Sequence, residues 1–186
     1  MTNTALLVID VQNDYFANGK MALHNPEIAL KNIQLLEQYF RQIQQPVIYI
    51  QHIYQDAAAP FFVKNTHGVK LHAELQLDDD PIIIVKHYPN SFFQTQLQQQ
   101  LERFDITKLV ITGMMTHMCV DATTRAAREL GYDTVVVSDA TATKSLQFEE
   151  HIVDAVTVQH TLLATLQMLS AVSHTQAIIH ADGIEE

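Results

Sequence analysis

Three side chains with complementary chemistry stand at or just beyond the ends of apolar runs in the sequence: Asp10, Lys86 and Cys119. A cysteine attacks a carbonyl well only as the thiolate, and a nearby ammonium or a helix N-terminus stabilises that anion. A carboxylate can take up the thiol proton and later return it to a leaving amine. If the fold brings the three groups together, their chemistry predicts acyl transfer through a covalent cysteine intermediate.

Other readings of the cysteine stay open at this point. A Cys–His pair is the alternative arrangement, because the chain contains ten histidines. His117 is near in sequence, but a spacing of two residues on a helix points the side chains of His117 and Cys119 apart. A lone cysteine can also be a small buried apolar residue, or the oxidisable thiol of a binding or redox-sensing protein that has no catalytic activity.

The elements that must position these side chains follow from the apolar pattern. Short apolar runs without polar alternation are typical of strands buried on both faces of a parallel sheet. They lie at residues 5–9, 47–50, 82–85, 109–111, 135–137 and 177–179. Helical spacing of apolar residues predicts helices over 26–44, 93–104, 117–130 and 148–169. Thr116 could cap the third helix and place Cys119 in its first turn. Alternating strands and helices predict an α/β domain, whose ligands bind beyond the carboxyl ends of the strands.

Residues 53–80 break this alternation and contain Pro60, Gly68 and the acidic run Asp78-Asp79-Asp80. We interpret this stretch as a lid-like excursion over one face of the sheet. Because no linker is rich in Pro, Gly or Ser, residues 1–186 are expected to form a single domain.

The charge composition argues against nucleic acid and anionic membranes as partners. The 186 residues contain 11 Lys and Arg against 21 Asp and Glu, a formal charge of -10. Neither nucleic acid nor an anionic membrane surface is therefore an expected partner. No apolar run approaches the roughly 20 residues that span a bilayer, and the first residues lack the basic region of a signal peptide. We expect a cytoplasmic protein without a disulfide framework.

Three segments resemble the isochorismatase-like cysteine hydrolases, a superfamily that includes nicotinamidases and other small-amide hydrolases. They are ALLVIDVQNDYF at 5–16, VKHYPNSF at 85–92 and LVITGMMTHMCVDATTRAARELGYDTVVVSDA at 109–140. The resemblance implies a catalytic triad of Asp10, Lys86 and Cys119. It also implies a three-layer α/β/α, Rossmann-like fold with a six-stranded, mostly parallel sheet in the order 3-2-1-4-5-6. The resemblance further implies a cis peptide at Met114–Met115, which would aim the Met115 and Cys119 amides at one point as an oxyanion hole. The resemblance implies a homo-oligomer as well, a dimer or tetramer.

Two departures from relatives narrow the expected activity. Nicotinamidases carry an Asp-x-His metal pair after the second strand, whereas this chain reads Ile50-Gln51-His52-Ile53-Tyr54. His67 and His72 could complete a site with His52, but the missing carboxylate favours no metal, no cofactor and a substrate other than nicotinamide. True isochorismatases lack the cysteine, so Cys119 favours hydrolysis of a non-peptide C–N bond over the alternative, vinyl-ether hydrolysis without covalent use of the thiol.

The candidate substrate-binding residues are Phe16, Phe61, His87 and Asn90. Phe16 follows the Asp10 segment and commonly faces the pocket in this superfamily. Phe61 lies in the excursion, where it could close over the substrate, and His87 and Asn90 follow Lys86 and could bind a polar group. An apolar pocket with few polar groups suits a small, flat or cyclic amide.

Overall fold

The computed structural model describes residues 3–180 of the chain. These residues form eight strands: β1 (Thr4–Ile9), β2 (Val47–His52), β3 (Ile82–Lys86), β4 (Lys108–Met114), β5 (Asp133–Ala142), β6 (Leu146–Phe148), β7 (His151–Val153) and β8 (Ala171–Ser173). They also form five α-helices: α1 (Pro26–Gln42), α2 (Leu97–Arg103), α3 (Asp121–Glu129), α4 (Ala155–Leu166) and α5 (Thr175–His180). None of the helices in this part of the chain has both the length and the apolar character needed to cross a membrane.

Six strands form one sheet in the order β3-β2-β1-β4-β5-β8, and every neighbouring pair in it is parallel. The predicted α/β architecture and the order 3-2-1-4-5-6 are thus confirmed, with β8 as the sixth strand. β1 lies at the centre, where Ile9 is the register partner of both Ile50 and Gly113. The carboxyl ends of β1, β2 and β4 therefore meet at one edge of the sheet.

The two faces of the sheet carry separate apolar clusters, which gives the three layers. On one face, α1 buries Leu30, Ile33 and Leu36 against β1 and β2, and α5 packs beside it. On the other face, α2, α3 and α4 bury Leu101, Ala127 and Leu166. Pro26 begins α1, as its fixed φ favours at a first helical position.

The last predicted strand was placed wrongly. Residues 177–179 lie within α5, and the sixth strand is β8, a run of only three residues that pairs with Val135, Val136 and Val137 of β5. Thr175 fixes the start of α5, because its backbone N–H and its hydroxyl both donate to Asp139 Oδ1 at 2.9 Å. Contact with β5, rather than the local content of apolar residues, therefore determines where β8 forms and where α5 begins.

Two predicted helices begin too early. The prediction over 148–169 included residues that form the antiparallel hairpin of β6 and β7, and α4 starts only after Asp154, whose carboxylate accepts from the Thr157 N–H at 3.0 Å. The prediction over 93–104 is likewise too long, since α2 starts at Leu97. The Thr95 hydroxyl donates to the Ser91 carbonyl at 2.6 Å and holds the preceding residues in turns.

Residues 53–80 form neither a regular helix nor a regular strand, in agreement with the predicted break. Buried polar side chains of the core hold this excursion in place. Asp14 accepts from the Phe62 N–H at 2.7 Å, Gln12 donates to the Val69 carbonyl at 2.7 Å, and Glu37 accepts from the Gln76 N–H at 3.1 Å.

Candidate active site

The three predicted catalytic side chains meet at the carboxyl edge of the sheet. Asp10 directly follows β1 with a left-handed φ of 52°, Lys86 is the last residue of β3, and Cys119 lies in a π-helical turn, Thr116–Val120, after β4. All three are buried, with exposed fractions of 0%, 1% and 4%. Lys86 reaches the centre of the sheet by passing the end of β2, where its register partner is His52.

The Lys86 ammonium is saturated by acceptors of the protein. Its Nζ lies 2.7 Å from Asp10 Oδ2 and donates to His52 Nδ1 at 3.0 Å and to the Tyr88 carbonyl at 3.2 Å. An ammonium has three N–H donors, so these contacts fix its direction. Although burial alone would lower the pKa of Lys86, the negative charge of the adjacent Asp10 raises it and keeps the side chain cationic.

The Cys119 sulfur lies within 4.8 Å of a carboxylate oxygen of Asp10 and a ring nitrogen of His52. Burial and the Asp10 charge raise the pKa of Cys119, and the opposing effect of Lys86 is smaller. The expected thiolate is therefore not the resting form, and the thiol needs a base. Burial also raises the pKa of Asp10 against the effect of Lys86, which suits a carboxylate that both takes and returns a proton.

The histidines near Cys119 lack the basicity or the contact that such a base would need. Burial and the charge of Lys86 lower the pKa of His52 to about 3, so its ring is neutral and weakly basic. The Gln12 side chain holds the backbone of His52. Its Oε1 accepts from the His52 backbone N–H at 2.8 Å, and its Nε2 donates to the His52 backbone carbonyl at 2.9 Å. The ring of His117 bonds the Thr143 hydroxyl at 2.5 Å instead of Cys119. The Cys–His alternative thus has no competent partner among the described residues.

The only metal-ligating cluster within residues 3–180 is Asp10, His52 and Cys119. The Lys86 ammonium already contacts donor atoms of Asp10 and His52, so it takes the place that a metal cation would need. The other candidate ligands, His67 and His72, lie elsewhere. The backbone carbonyl of His67 accepts from the side-chain amide of Asn13 at 3.0 Å. The ring of His72 packs on the ring of Phe16 with a centroid distance of 4.0 Å.

The turn that carries Cys119 is built by backbone contacts. The Met115 carbonyl accepts from the N–H groups of Met118 at 3.0 Å and Val120 at 3.3 Å, and the second of these is the five-residue step of a π-helix. The expected cis peptide at Met114–Met115 is present. Thr116 does not cap the helix, since the preceding Met115 is the N-cap residue and the buried Thr116 hydroxyl has no hydrogen-bond partner in the described chain.

Comparison with known proteins now decides the family. The family model of the isochorismatase domain matches residues 4–168. The chain belongs to the isochorismatase family. It is 48% identical over 177 residues to the uncharacterized isochorismatase family protein YddQ of Bacillus subtilis, covering 95% of this chain and 98% of YddQ. It is 33% identical over 144 residues to the secreted isochorismatase effector Isc1 of Verticillium dahliae, covering 77% and 75%.

A solved structure agrees. This isochorismatase-family chain superposes with a TM-score of 0.90 on the crystal structure of an Oleispira antarctica protein that is assigned to the isochorismatase hydrolases. The two are 39% identical, and the superposition covers 96% of each chain. The resemblance read from the sequence is confirmed, and the chain is a member of a hydrolase family.

The predicted pocket residues of this isochorismatase-family protein occupy different surroundings. Phe61 lies in the excursion among aromatic rings described below. Phe16 is buried against His72, and both residues line the groove between the β1–α1 loop and the excursion. His87 donates from Nδ1 to the Ile53 carbonyl at 2.7 Å, and Asn90 accepts from the Phe92 N–H at 2.9 Å.

Sequence reasoning missed an aromatic cluster beside the triad, made of Tyr15, His52, Tyr54, Phe61 and Phe62. His52 stacks on Tyr54 at 4.4 Å, and Phe62 packs on Tyr15 at 4.5 Å and on Phe61 at 4.8 Å between ring centroids. The sequence places Tyr15 and Phe16 side by side in the segment 5–16. Their adjacency does not show which of the two rings faces the site.

Proposed function

We propose that this protein is a cysteine hydrolase that cleaves the C–N bond of a small amide or cyclic amide through a thioester on Cys119. The observation that carries the proposal is the buried Asp10–Lys86 ion pair at 2.7 Å with the Cys119 sulfur beside it. A buried charge pair costs desolvation energy that packing alone would not require. Its position at the carboxyl edge of the sheet, next to the only thiol of the chain, supports a catalytic role.

In the first half of the proposed reaction, Cys119 Sγ attacks the substrate carbonyl while Asp10 takes the thiol proton. The backbone N–H groups of Met115 and Cys119 are assigned to the oxyanion, because they flank the turn from which the sulfur attacks. The C–N bond then breaks as Asp10 passes its proton to the leaving nitrogen. The products of this half are the thioester, the free amine and an ionised Asp10.

In the second half, Asp10 removes a proton from a water molecule that attacks the thioester. The C–S bond breaks, the carboxylic acid is released, and the proton on Asp10 returns to the sulfur. Lys86 stays protonated throughout, since the negative charge that stays on Asp10 or on the reacting atoms beside it raises its pKa. Its task is to hold the Asp10 carboxylate in place and to offset the charge that develops on sulfur.

A second candidate is vinyl-ether hydrolysis without covalent use of the thiol. The observation that favours it is the 33% identity with a Verticillium protein that carries the name of an isochorismatase effector. In this reaction Asp10 would act as an acid toward the substrate, and Cys119 would only line the site. The two candidates therefore differ in whether the sulfur becomes acylated.

Acid quenching followed by intact-mass measurement tests the proposal. The protein is incubated with a panel of small amides and lactams, and the matched Cys119→Ala variant is treated identically. We expect acylation of the wild type at Cys119, which peptide mapping locates, and loss of hydrolysis in the variant. Hydrolysis of an amide at the wild-type rate by Cys119→Ala would contradict the covalent mechanism, and activity on a vinyl ether alone would favour the second candidate.

A further inference from the structure

Two hydroxyl groups of the aromatic cluster, those of Tyr15 and Tyr54, make no hydrogen bond to any residue from 3 to 180. Tyr15 is only 1% exposed as a residue, but its hydroxyl is not among the fully buried polar atoms that lack a partner, so the oxygen keeps a small accessible surface through which it can bind a partner from outside the chain. Tyr54 is half-buried and lies where the excursion begins. A donor that makes no hydrogen bond within the described chain and stands beside a reaction centre is free to bind a polar group of a ligand.

The rings of both tyrosines lie beside the proposed catalytic groups. Phe61 contacts both tyrosines, with centroid distances of 5.7 Å to Tyr15 and 5.5 Å to Tyr54. Tyr54 also stacks on His52 at 4.4 Å, and His52 in turn accepts from Lys86 at 3.0 Å. The two tyrosines therefore flank one aromatic ring at the rim of the site that holds the nucleophile.

The electrostatics agree with this placement. Burial and the charge of Asp10 raise the pKa of both Tyr15 and Tyr54, while Lys86 opposes the shift at Tyr54. Both hydroxyls therefore keep their protons at physiological pH and act as donors. The Thr116 hydroxyl, which is buried and has no hydrogen-bond partner in the described chain, lies in the same turn as Cys119.

The charges around the two hydroxyls limit which kind of acceptor group they can bind. The Lys86 ammonium disfavours a cation at this rim, and the Asp10 carboxylate with the developing thiolate disfavours an anion. A neutral acceptor remains, and among small amides the strongest common one is a carbonyl oxygen. The aromatic walls suit a flat ring that carries it.

We propose that the Tyr15 and Tyr54 hydroxyls bind a second carbonyl oxygen of the substrate, so that the substrate is a small neutral dicarbonyl amide such as a cyclic imide. This inference rests on the proposed function. Cys119 attacks one carbonyl, and the nitrogen released is that of an amide conjugated to the second carbonyl. Donation to that second oxygen withdraws electron density from the nitrogen, so that the breaking C–N bond needs less help from Asp10.

A matched pair of ring compounds tests the inference. Glutarimide and 2-piperidinone have the same ring size and differ by one carbonyl oxygen. The readout is the concentration of each compound that halves the rate of Cys119 alkylation by iodoacetamide, in the wild type and in Tyr15→Phe, Tyr54→Phe and the double variant. Phenylalanine preserves the ring packing. Tyr132→Phe is the control, since Tyr132 stacks on Phe92, outside the aromatic cluster.

We expect the wild type and the control to bind glutarimide at least tenfold more tightly than 2-piperidinone. Each single variant should weaken that preference about fivefold, the usual effect of one neutral hydrogen bond, and the double variant should abolish it. Equal protection by the two compounds in the wild type, no protection by either, or an unchanged preference in the double variant would overturn the inference. Acylation of Cys119 by lactams alone would overturn it and leave the proposed function intact. An inert Cys119 that no amide acylates would overturn both.

Discussion

Lys86 passes the end of β2 to place its ammonium 2.7 Å from the Asp10 carboxylate, and both side chains are shielded from solvent. The charge pair is held between a strand at the edge of the sheet and the strand at its centre. His52 on the intervening strand contacts the ammonium as a neutral acceptor. The geometry thus holds a carboxylate beside Cys119, and the position of that carboxylate depends on a cation of the protein itself.

Removal of that cation should convert the site into a metal site. In Lys86→Met the side-chain volume stays similar, but the donor atoms of Asp10, His52 and Cys119, which lie within 4.8 Å of one another, lose the ammonium. We expect the variant to bind Co²⁺ with a thiolate-to-metal absorption band that a chelator removes. The wild type and the surface control Lys64→Met should show no such band, and an identical band in the wild type would refute the view that Lys86 fills the cluster.

His52 should act through Lys86 and not as a base. In His52→Asn the amide oxygen can replace Nδ1 as the acceptor for the ammonium, whereas His52→Leu removes the acceptor. Because the pKa of His52 is lowered to about 3, the pH dependence of Cys119 alkylation between pH 5 and 8 should be unchanged in His52→Asn. His52→Leu should shift it. If His52→Asn removed an inflection near pH 6, His52 would titrate in that range and the assignment would fail.

Gly113 is required where β4 passes β1. Its φ is +113°, and a Cβ there would lie 2.0 Å from the Ile9 carbonyl oxygen. Gly131 has a similar φ of +92° but open space around it. Gly131→Ala therefore measures only the cost of placing a side chain at a positive φ. We expect Gly131→Ala to lower the free energy of unfolding by about 1–2 kcal/mol and Gly113→Ala by more than about 3 kcal/mol, since strain and overpacking add.

Urea denaturation with two independent probes measures both values. Equal losses in the two alanine variants would show that the backbone at Gly113 has room for a Cβ, against the geometry described.

Glu37 should make the protein less stable as the pH rises. Burial raises the pKa of Glu37 above its ordinary value of 4.5, although hydrogen bonds from Tyr49 and Gln76 oppose the shift. Between the ordinary and the raised pKa the folded protein binds more protons than the unfolded chain, so the free energy of unfolding falls as pH rises through that window. Glu37→Gln cannot titrate and should have a flatter profile.

The measurement is the urea midpoint of wild type, Glu37→Gln and the exposed control Glu27→Gln at several pH values from 4 to 8. Parallel profiles for wild type and Glu37→Gln would contradict a raised pKa at Glu37. Asp10, whose pKa is also raised, contributes the same slope to all three proteins and cancels in the comparison.

The position of the triad could be read from the sequence because of the parallel sheet. Asp10 and Lys86 each stand at the end of an apolar run, and the carboxyl ends of parallel strands share one edge. His52 was harder to place in the site, since it lies there only because β2 separates β1 from β3 in the sheet. That order came from resemblance, as no local pattern of apolar residues specifies which strands are neighbours.

The remaining differences have tertiary causes. β8 is a strand because it pairs with β5, although its three residues carry little strand signal. The aromatic cluster joins residues of the β1–α1 loop, β2 and the excursion, and spacing along the chain cannot show that Tyr15 faces Phe62 while Phe16 faces His72. The thiol pKa also depends on how deeply the fold buries Cys119, which its position after an apolar run does not reveal.

The central claim is that Asp10 is the base that activates Cys119, and the rate of Cys119 alkylation by iodoacetamide across pH 5–10 tests it most directly. The wild type is compared with Asp10→Asn and with the exposed control Asp56→Asn. Because burial keeps the thiol protonated, the account predicts alkylation at pH 7 at least about tenfold slower in Asp10→Asn, as expected when a general base is lost. Equal or faster alkylation in Asp10→Asn would contradict it, since the Asp10 charge would then only be raising the thiol pKa.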